Sequence, residues 1–243
     1  VEFLDTVLAA HRAYLLGWNI GEPGDPDLLT YRSDVPHAPL NGVLRVTGRT
    51  PQDALTEARR RLDGVPRVWW VGPDSDAGTA DGLASLGAVD VARLPIMTVA
   101  IGDAADAPTP AGLHISESTD LDTFVRAYAR VSGIPAEGVA AAIDREKAFS
   151  GDGTVLRLAG RLDDRIVGTA VAWLSHGLAT LYFVGTQPEQ RRRGIGAAMT
   201  RAALDLAGER GVRTAALTST PVGEPVYRRL GFRTVGTFRL LTF

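Results

Sequence analysis

A chain of 243 residues has room for two small domains or one large one, and its 45% hydrophobic and 22% charged content is that of a soluble globular protein. A net charge of −2 supplies no global field toward nucleic acid or an anionic membrane, and the absence of cysteine excludes disulfides, thiolate catalysis and thiolate metal sites. His11, His37, His114 and His176 include no pair at metal-ligand spacing, no apolar run approaches the ~18 residues of a membrane span, and no basic-then-apolar leader opens the sequence. A cytoplasmic protein with no metal, membrane or nucleic-acid partner is expected.

In chain order, the first half carries an aromatic-rich set, Tyr14, Trp18, Tyr31, Trp69 and Trp70, at a density expected of a core. Trp69 and Trp70 on one strand must face opposite sides. Asp34–Asn41 is a proline-stiffened loop with polar tips, placed to touch a substrate. Val46-Thr47-Gly48-Arg49 leads into a helix from Thr50 to Leu62, with Thr50 as N-cap and Pro51 at the first helical position. A strand, Gly64 to Val71, a segment Leu83-Ala84-Ser85-Leu86-Gly87-Ala88, and a strand from Val89 to Ile101 interrupted at Pro95 follow. Gly102–Gly112, small, acidic and proline-rich, is an exposed linker.

Beyond the linker, 120–149 is helical, broken at Ser132-Gly133-Ile134-Pro135 into a loop expected over the active site. Leu121 and Phe124 belong to its core face and Tyr128 points to a pocket. Two strands, Thr154–Leu162 and Ile166–Leu174, turn at Asp163-Asp164-Arg165. A third, Leu178–Val184, runs into Gln187-Pro188-Glu189-Gln190-Arg191-Arg192-Arg193-Gly194-Ile195-Gly196-Ala197, after which a helix extends from Ala197 to Arg210. The two glycines let the backbone curl close to a ligand. The helix start aims unpaired N–H groups and a positive dipole end into the turn, where three arginines add charge. This is a pocket for phosphate or pyrophosphate. It lacks the Gly-Lys-Ser/Thr ending of a nucleotide P-loop and the third glycine of the dinucleotide fingerprint. A strand from Val212 to Leu217 and a turn-rich link, Ser219–Pro225, lead to a short helix bearing Tyr227. That helix ends in Leu230-Gly231-Phe232, with Gly231 as left-handed cap, and a last strand runs from Arg233 to Phe243.

Arg191, Gly194 and Gly196, preceded by Pro188, resemble the acetyl-CoA signature of the GNAT N-acetyltransferase superfamily. The Tyr227 helix ending in Leu-Gly-Phe resembles its second signature, so the similarity covers roughly residues 113–243. The resemblance implies an α/β (α+β) fold with a mixed, mostly antiparallel central sheet flanked by helices. It implies an acetyl-CoA-dependent N-acetyltransferase that moves an acetyl group to a primary amine of a small molecule or protein by direct attack in a ternary complex. By the same resemblance, Arg191, Arg192, Arg193, Gly194, Ile195, Gly196 and Ala197 hold the pyrophosphate, and Val184, Gly185 and Thr186 pair with the pantetheine arm. A backbone N–H near Val184 polarises the thioester, and Tyr227 serves the departing thiolate as acid or positioning group. The base stays open among Glu117, His176, Ser219, Thr220, Glu224 and a water chain, because the strand Leu178–Val184 carries no carboxylate. That same lack keeps a non-catalytic CoA-binding or regulatory module as an alternative, beside transfer of a longer acyl group.

The two halves rhyme. Gly64–Val71 parallels Gly211–Leu217, and Leu83–Ala88 parallels Tyr227–Phe232, with Leu83 in the place of Tyr227. A tandem of two such domains is expected: an incomplete first copy at 1–104, a linker at 105–112 and a catalytic copy at 113–243. The first copy lacks the phosphate loop and the tyrosine, so its expected role is structural or in walling the acceptor pocket. Tandem copies can replace pairing between chains, which favours a monomer.

Overall fold

The computed structural model describes residues 2–21 and 25–243. In chain order it contains α1 (Glu2–Leu16), β1 (Leu28–Arg32), β2 (Asn41–Val46), α2 (Pro51–Arg61), β3 (Val68–Val71), α3 (Thr79–Ser85), β4 (Val89–Ala100) and β5 (His114–Glu117). Then follow α4 (Leu121–Ser132), α5 (Val139–Lys147), β6 (Thr154–Leu162), β7 (Arg165–Ser175), β8 (Leu178–Thr186), α6 (Ile195–Glu209), β9 (Thr214–Thr218), α7 (Glu224–Arg229) and β10 (Arg233–Thr242). The chain folds into two compact units, one of Val1–Pro95, Ala136–Gly151 and Gly236–Phe243, the other of Ile96–Pro135 and Asp152–Val235. Their sequences interleave, whereas the sequence reading places a single linker at 105–112.

In the first unit β1 and β2 are antiparallel, β2 and β3 parallel, and β3 pairs antiparallel with β10 through Trp69↔Leu241 to Val71↔Arg239. Leu28, Val43, Leu55, Trp69, Leu83 and Leu241 share one buried cluster. Trp70 faces the other way. It packs 5.0 Å from His11 and 5.5 Å from Phe238, and its indole donates to the Tyr31 hydroxyl at 2.9 Å. The opposed tryptophans thus follow from strand alternation. The loop at 34–41 is tied from within by Asn41, which is fully buried. Its Oδ1 accepts from the Ser33 and Asp34 amides, and its Nδ2 donates to Val35 O, His37 O and Pro66 O. Thr50 caps α2 by accepting from the Asp53 amide, with Pro51 opening the helix. The strand after α3 is not interrupted: β4 runs through Pro95, and its ladder with β9 begins only at Ile96, so the missing proline N–H breaks no bond there.

In the second unit the strand order is β4-β9-β8-β7-β6-β5, antiparallel except for the β8–β9 pair. Helix α6 packs on one face. Gly160 and Gly168 sit so close to it that an added Cβ would stand 2.6 Å from Met199 Sδ and 2.8 Å from Ile195 Cγ2. Gly185, paired with Thr169, therefore points to the opposite face. There a Cβ would stand 2.4 Å from Val131 of α4. Helix α4 is capped by Asp120 on the Thr123 amide and stopped by Gly133 at φ 79°, which is the expected break. Leu121, expected in the core, is only half-buried, while Phe124, Val125 and Tyr128 are fully buried. The segment after β4 has no helix or strand from residue 104 to residue 113, but it is laid onto this unit. The Ala105 amide donates to Leu230 O, and Arg201 donates to Ala104 O.

Candidate functional site

The site starts from a fault in strand β8. Its parallel pairing with β9 ends at Leu181↔Leu217, and its pairing with β7 slips between Thr169 and Val171. The extra residue is accommodated by Phe183, which takes a φ of 47°, unusual for an aromatic side chain. Thr169 Oγ1 donates to Phe183 O at 2.8 Å, and the Phe183 ring stacks on Tyr128 at 4.2 Å with 17° between planes. Past the bulge β8 no longer pairs with β9, and a wedge opens between them that bears Val184, Gly185 and Thr186 on one side. Tyr128 does not point into a pocket, as the helical spacing suggested; it is the buried brace of the bulge.

Two further contacts fix the strand end against α4: the close approach of Gly185 to Val131, and a 2.9 Å hydrogen bond from the buried Gln187 side chain to Ala127 O. Gly185→Ala should therefore destabilise the protein by about 1–3 kcal/mol through overpacking, and Val131→Ala in the same chain should restore most of it. Urea unfolding of the two single variants and the double variant measures this.

Beyond Gln187 a short turn at Pro188–Gln190 leads into the arginine loop. Arg191 donates back to Thr186 O at 3.3 Å, Arg193 donates to Gln190 Oε1, and Arg192 turns the backbone at φ 59°. Gly194 follows at φ 81°, a conformation that costs glycine nothing. Helix α6 begins at Ile195, two residues ahead of the expected Ala197, and its first internal bond runs from the Ala198 amide to Gly194 O. The amides of Ile195, Gly196 and Ala197 thus lie ahead of any intrahelical acceptor, at the positive end of a 15-residue helix. A Cβ on Gly196 would meet only Thr186 Oγ1, at 3.6 Å, so the end of β8 and the helix start share one open corner. Glu189, the one acid of this loop, pairs with Arg130. Its own backbone N–H, helped by Arg130 and Arg191, holds its carboxyl below the usual range.

Tyr227 is carried by α7, which follows β9, the strand on the other side of the wedge. The helix closes as the sequence requires: Gly231 at φ 93° donates to Arg228 O, the Phe232 amide donates to Tyr227 O, and the two rings meet edge-on at 5.7 Å. Burial pushes the Tyr227 phenol up to about 12. The carboxylates considered as base are held by arginines, Glu117 by Arg210 at 3.3 Å and Glu224 by Arg228 at 2.6 Å. His176 is exposed in the β7–β8 turn with its Nδ1 3.0 Å from Ser175 Oγ, and the Ser219 hydroxyl donates to Thr220 O.

Sequence reasoning singled out the loop and Tyr227 but missed Phe183 and Val131, set Tyr128 in a pocket and gave Gln187 no contact with α4; these four residues hold the end of β8. Gly185 in an otherwise apolar strand was the one available hint.

Residues 125–232 match the acetyltransferase (GNAT) family. Among curated proteins, the chain is 31% identical over 204 residues to a mycothiol acetyltransferase of Clavibacter michiganensis subsp. michiganensis, over 78% of this chain and 65% of that one. Among solved structures it resembles a GCN5-related N-acetyltransferase from Kribbella flavida, with a TM-score of 0.72, 22% identity, and 97% and 93% of the two chains covered. It also resembles a tandem GNAT protein from the clavulanic acid biosynthesis pathway, with a TM-score of 0.61, 13% identity, and 98% and 95% covered. No described helix is long and apolar enough to cross a membrane.

Proposed function

We propose, from the match of residues 125–232 to the acetyltransferase (GNAT) family, that the chain transfers an acetyl group from acetyl-CoA to a primary amine of a small molecule or protein. The observation that carries this is the continuity of the wedge at β8 with the uncapped start of α6. Open strand edge and anion-binding amides follow one another along eleven residues, Thr186 to Gly196, whose ends face each other so that a Cβ on Gly196 would stand 3.6 Å from Thr186 Oγ1. A coenzyme with an amide-bearing arm and a pyrophosphate needs those two features in that order.

Each residue then has a task. The amides of Ile195, Gly196 and Ala197 and the neighbouring Gly194 turn hold the pyrophosphate, with the guanidinium groups of Arg191, Arg192 and Arg193 supplying positive charge around it. Val184 to Thr186 offer the strand edge to the pantetheine amides, and an N–H near Val184 donates to the thioester carbonyl, where negative charge grows. When bound, acetyl-CoA supplies an activated acyl carbon: the C–N bond forms, the C–S bond breaks, and one proton leaves the amine as the sulfur gains one. A phenol near 12 facing a thiol of about 8.5 cannot transfer its proton fully without an uphill step of roughly 5 kcal/mol. Tyr227 is thus a hydrogen-bond donor that stabilises the departing sulfur. The amine proton leaves through water: Glu224, the acid on the Tyr227 helix, is paired with Arg228, and Glu117 is tied to Arg210 at the far end of α6.

Tyr227→Phe should lower kcat about 10- to 100-fold, the worth of one hydrogen bond to a charged atom, with little change in KM for acetyl-CoA. A rate unchanged by this substitution would remove Tyr227 from the chemistry. The first unit is read as an incomplete copy of the second, which agrees with the tandem architecture named for one structural relative. Its α3 ends like α7, with Gly87 at φ 93° and the Ala88 amide on Leu83 O. A single chain then holds both copies, and the protein is a monomer. The relatives' name puts mycothiol-type acceptors first in an assay of free-thiol release from acetyl-CoA over a panel of amines. Acceptor-dependent release supports the proposal. Tight binding without turnover on any acceptor favours a non-catalytic module, and preference for longer acyl-CoAs favours the other alternative.

A further inference from the structure

The first unit repeats the geometry that opens the wedge in the second, and then fills it. Strands β2 and β3 are parallel for only two register pairs, Gly42↔Val68 and Val43↔Trp69. After that β2 parts from β3 on its way to a glycine turn and helix α2, as β8 parts from β9 on its way to α6. The turn after β3 occupies the gap. The Asp76 amide donates to Val46 O at 3.1 Å, and Ser75 Oγ stands 3.5 Å from the Val46 amide, so both backbone groups of the last β2 residue face this turn. The Asp76 carboxylate accepts from the Gly48 amide at 2.6 Å, and Gly48 lies at φ 66° in the β2–α2 connection. Asp76 is itself pinned by its carbonyl, which accepts from the Thr79 amide at 3.2 Å and the Thr79 hydroxyl at 2.7 Å.

The start of α2 is closed as well. Pro51 has no N–H, and the Asp53 amide is taken by Thr50 Oγ1 at 3.1 Å. The Asp53 carboxylate, held by the same hydroxyl at 2.7 Å, puts negative charge in the first turn of α2, where α6 has none. Helix α3 abuts the proline so closely that a Cβ on Gly82 would stand 2.5 Å from Pro51 Cγ.

We infer that Ser75–Asp76 is a built-in occupant of the first unit's cleft, main chain in place of coenzyme amides and a carboxylate in place of a phosphate, so that the protein binds one acetyl-CoA per chain, in the second unit. The inference rests on the acetyl-CoA reading of that unit for its stoichiometry but not for the closure.

Two readouts separate these. In hydrogen exchange, the Gly48 amide is expected to be protected in the wild type and unchanged by acetyl-CoA, while the amides of Ile195–Ala197 slow on its addition. Asp76→Ala should speed Gly48 exchange about tenfold or more, and Asp76→Asn, which keeps an acceptor oxygen, should preserve much of the protection. Calorimetry should give one site in the wild type and none in Gly196→Glu. Rapid Gly48 exchange in the wild type, no response to Asp76→Ala, two acetyl-CoA sites, or one site persisting in Gly196→Glu would each overturn the inference. No binding at all by the wild type would instead overturn the acetyl-CoA proposal, and Gly48 exchange would still decide the closure.

Discussion

Gly196→Glu is expected to lose acetyl-CoA binding by about a hundredfold or more while remaining folded. Gly196 sits in the first turn of α6 with no positive φ, and a Cβ there would have Thr186 Oγ1 as its nearest neighbour, at 3.6 Å. A side chain there fits without strain, at the small propensity difference between glutamate and glycine, which favours glutamate. Its carboxylate would enter the corner assigned to the pyrophosphate. Like charges about 4 Å apart repel by about 4 kcal/mol at the effective dielectric of a protein surface, enough for roughly a thousandfold before screening by the nearby arginines. Calorimetric titration, with circular dichroism to verify folding, reads the result. A folded variant that binds acetyl-CoA like the wild type would remove the loop from coenzyme binding.

The second large effect is on stability in acid. His11 lies buried against Trp70 and Phe238, 5.0 and 4.9 Å from their rings. Desolvation, and secondarily the charge of Arg12, lowers its pKa to about 3. An unfolded chain protonates this histidine near 6.5, whereas the folded chain resists until about 3. The unfolded state therefore binds more protons throughout that window, and stability falls as pH drops from 6.5 toward 3. The separation amounts to at most about 5 kcal/mol, comparable with the whole stability of a small unit. His11→Leu should lose some stability at pH 7 from altered packing, yet show a shallower decline between pH 6.5 and 3. Arg12 and Asp74, which form an ion pair in the same region, are common to both proteins, so the difference isolates His11. Parallel slopes for the two proteins, by urea unfolding at a series of pH values, would contradict this.

What the sequence made legible was carried by residues whose backbone roles are exclusive. Gly194 and Gly231 occur because the chain must take positive φ there, and Thr50-Pro51 because a helix must start there. These residues located the loop, the Tyr227 helix and α2 to within two residues. The bulge at Phe183 was not legible. Its positive φ is imposed by the slip in pairing with β7 and by the Thr169 and Tyr128 contacts, not by any preference of phenylalanine. Tyr128 was misplaced for the same reason: helical spacing gives a side chain a face, but not the partner across that face. Pro95 was read as a break because proline has no N–H to give a ladder, but the β4–β9 ladder begins only at Ile96. The plug at Ser75–Asp76 has no motif of its own; it is visible only once β2 and β3 are seen to part.

The most direct test is a crystal structure of the protein with acetyl-CoA bound. The expected complex has pyrophosphate oxygens within about 2.7–3.2 Å of amides between Arg192 and Ala197, and the pantetheine arm along Val184–Thr186. It has the sulfur beside the Tyr227 hydroxyl. Coenzyme bound elsewhere, or lying in the first unit at Gly48 with Asp76 displaced, would contradict the assignment of the site to the β8–α6 corner.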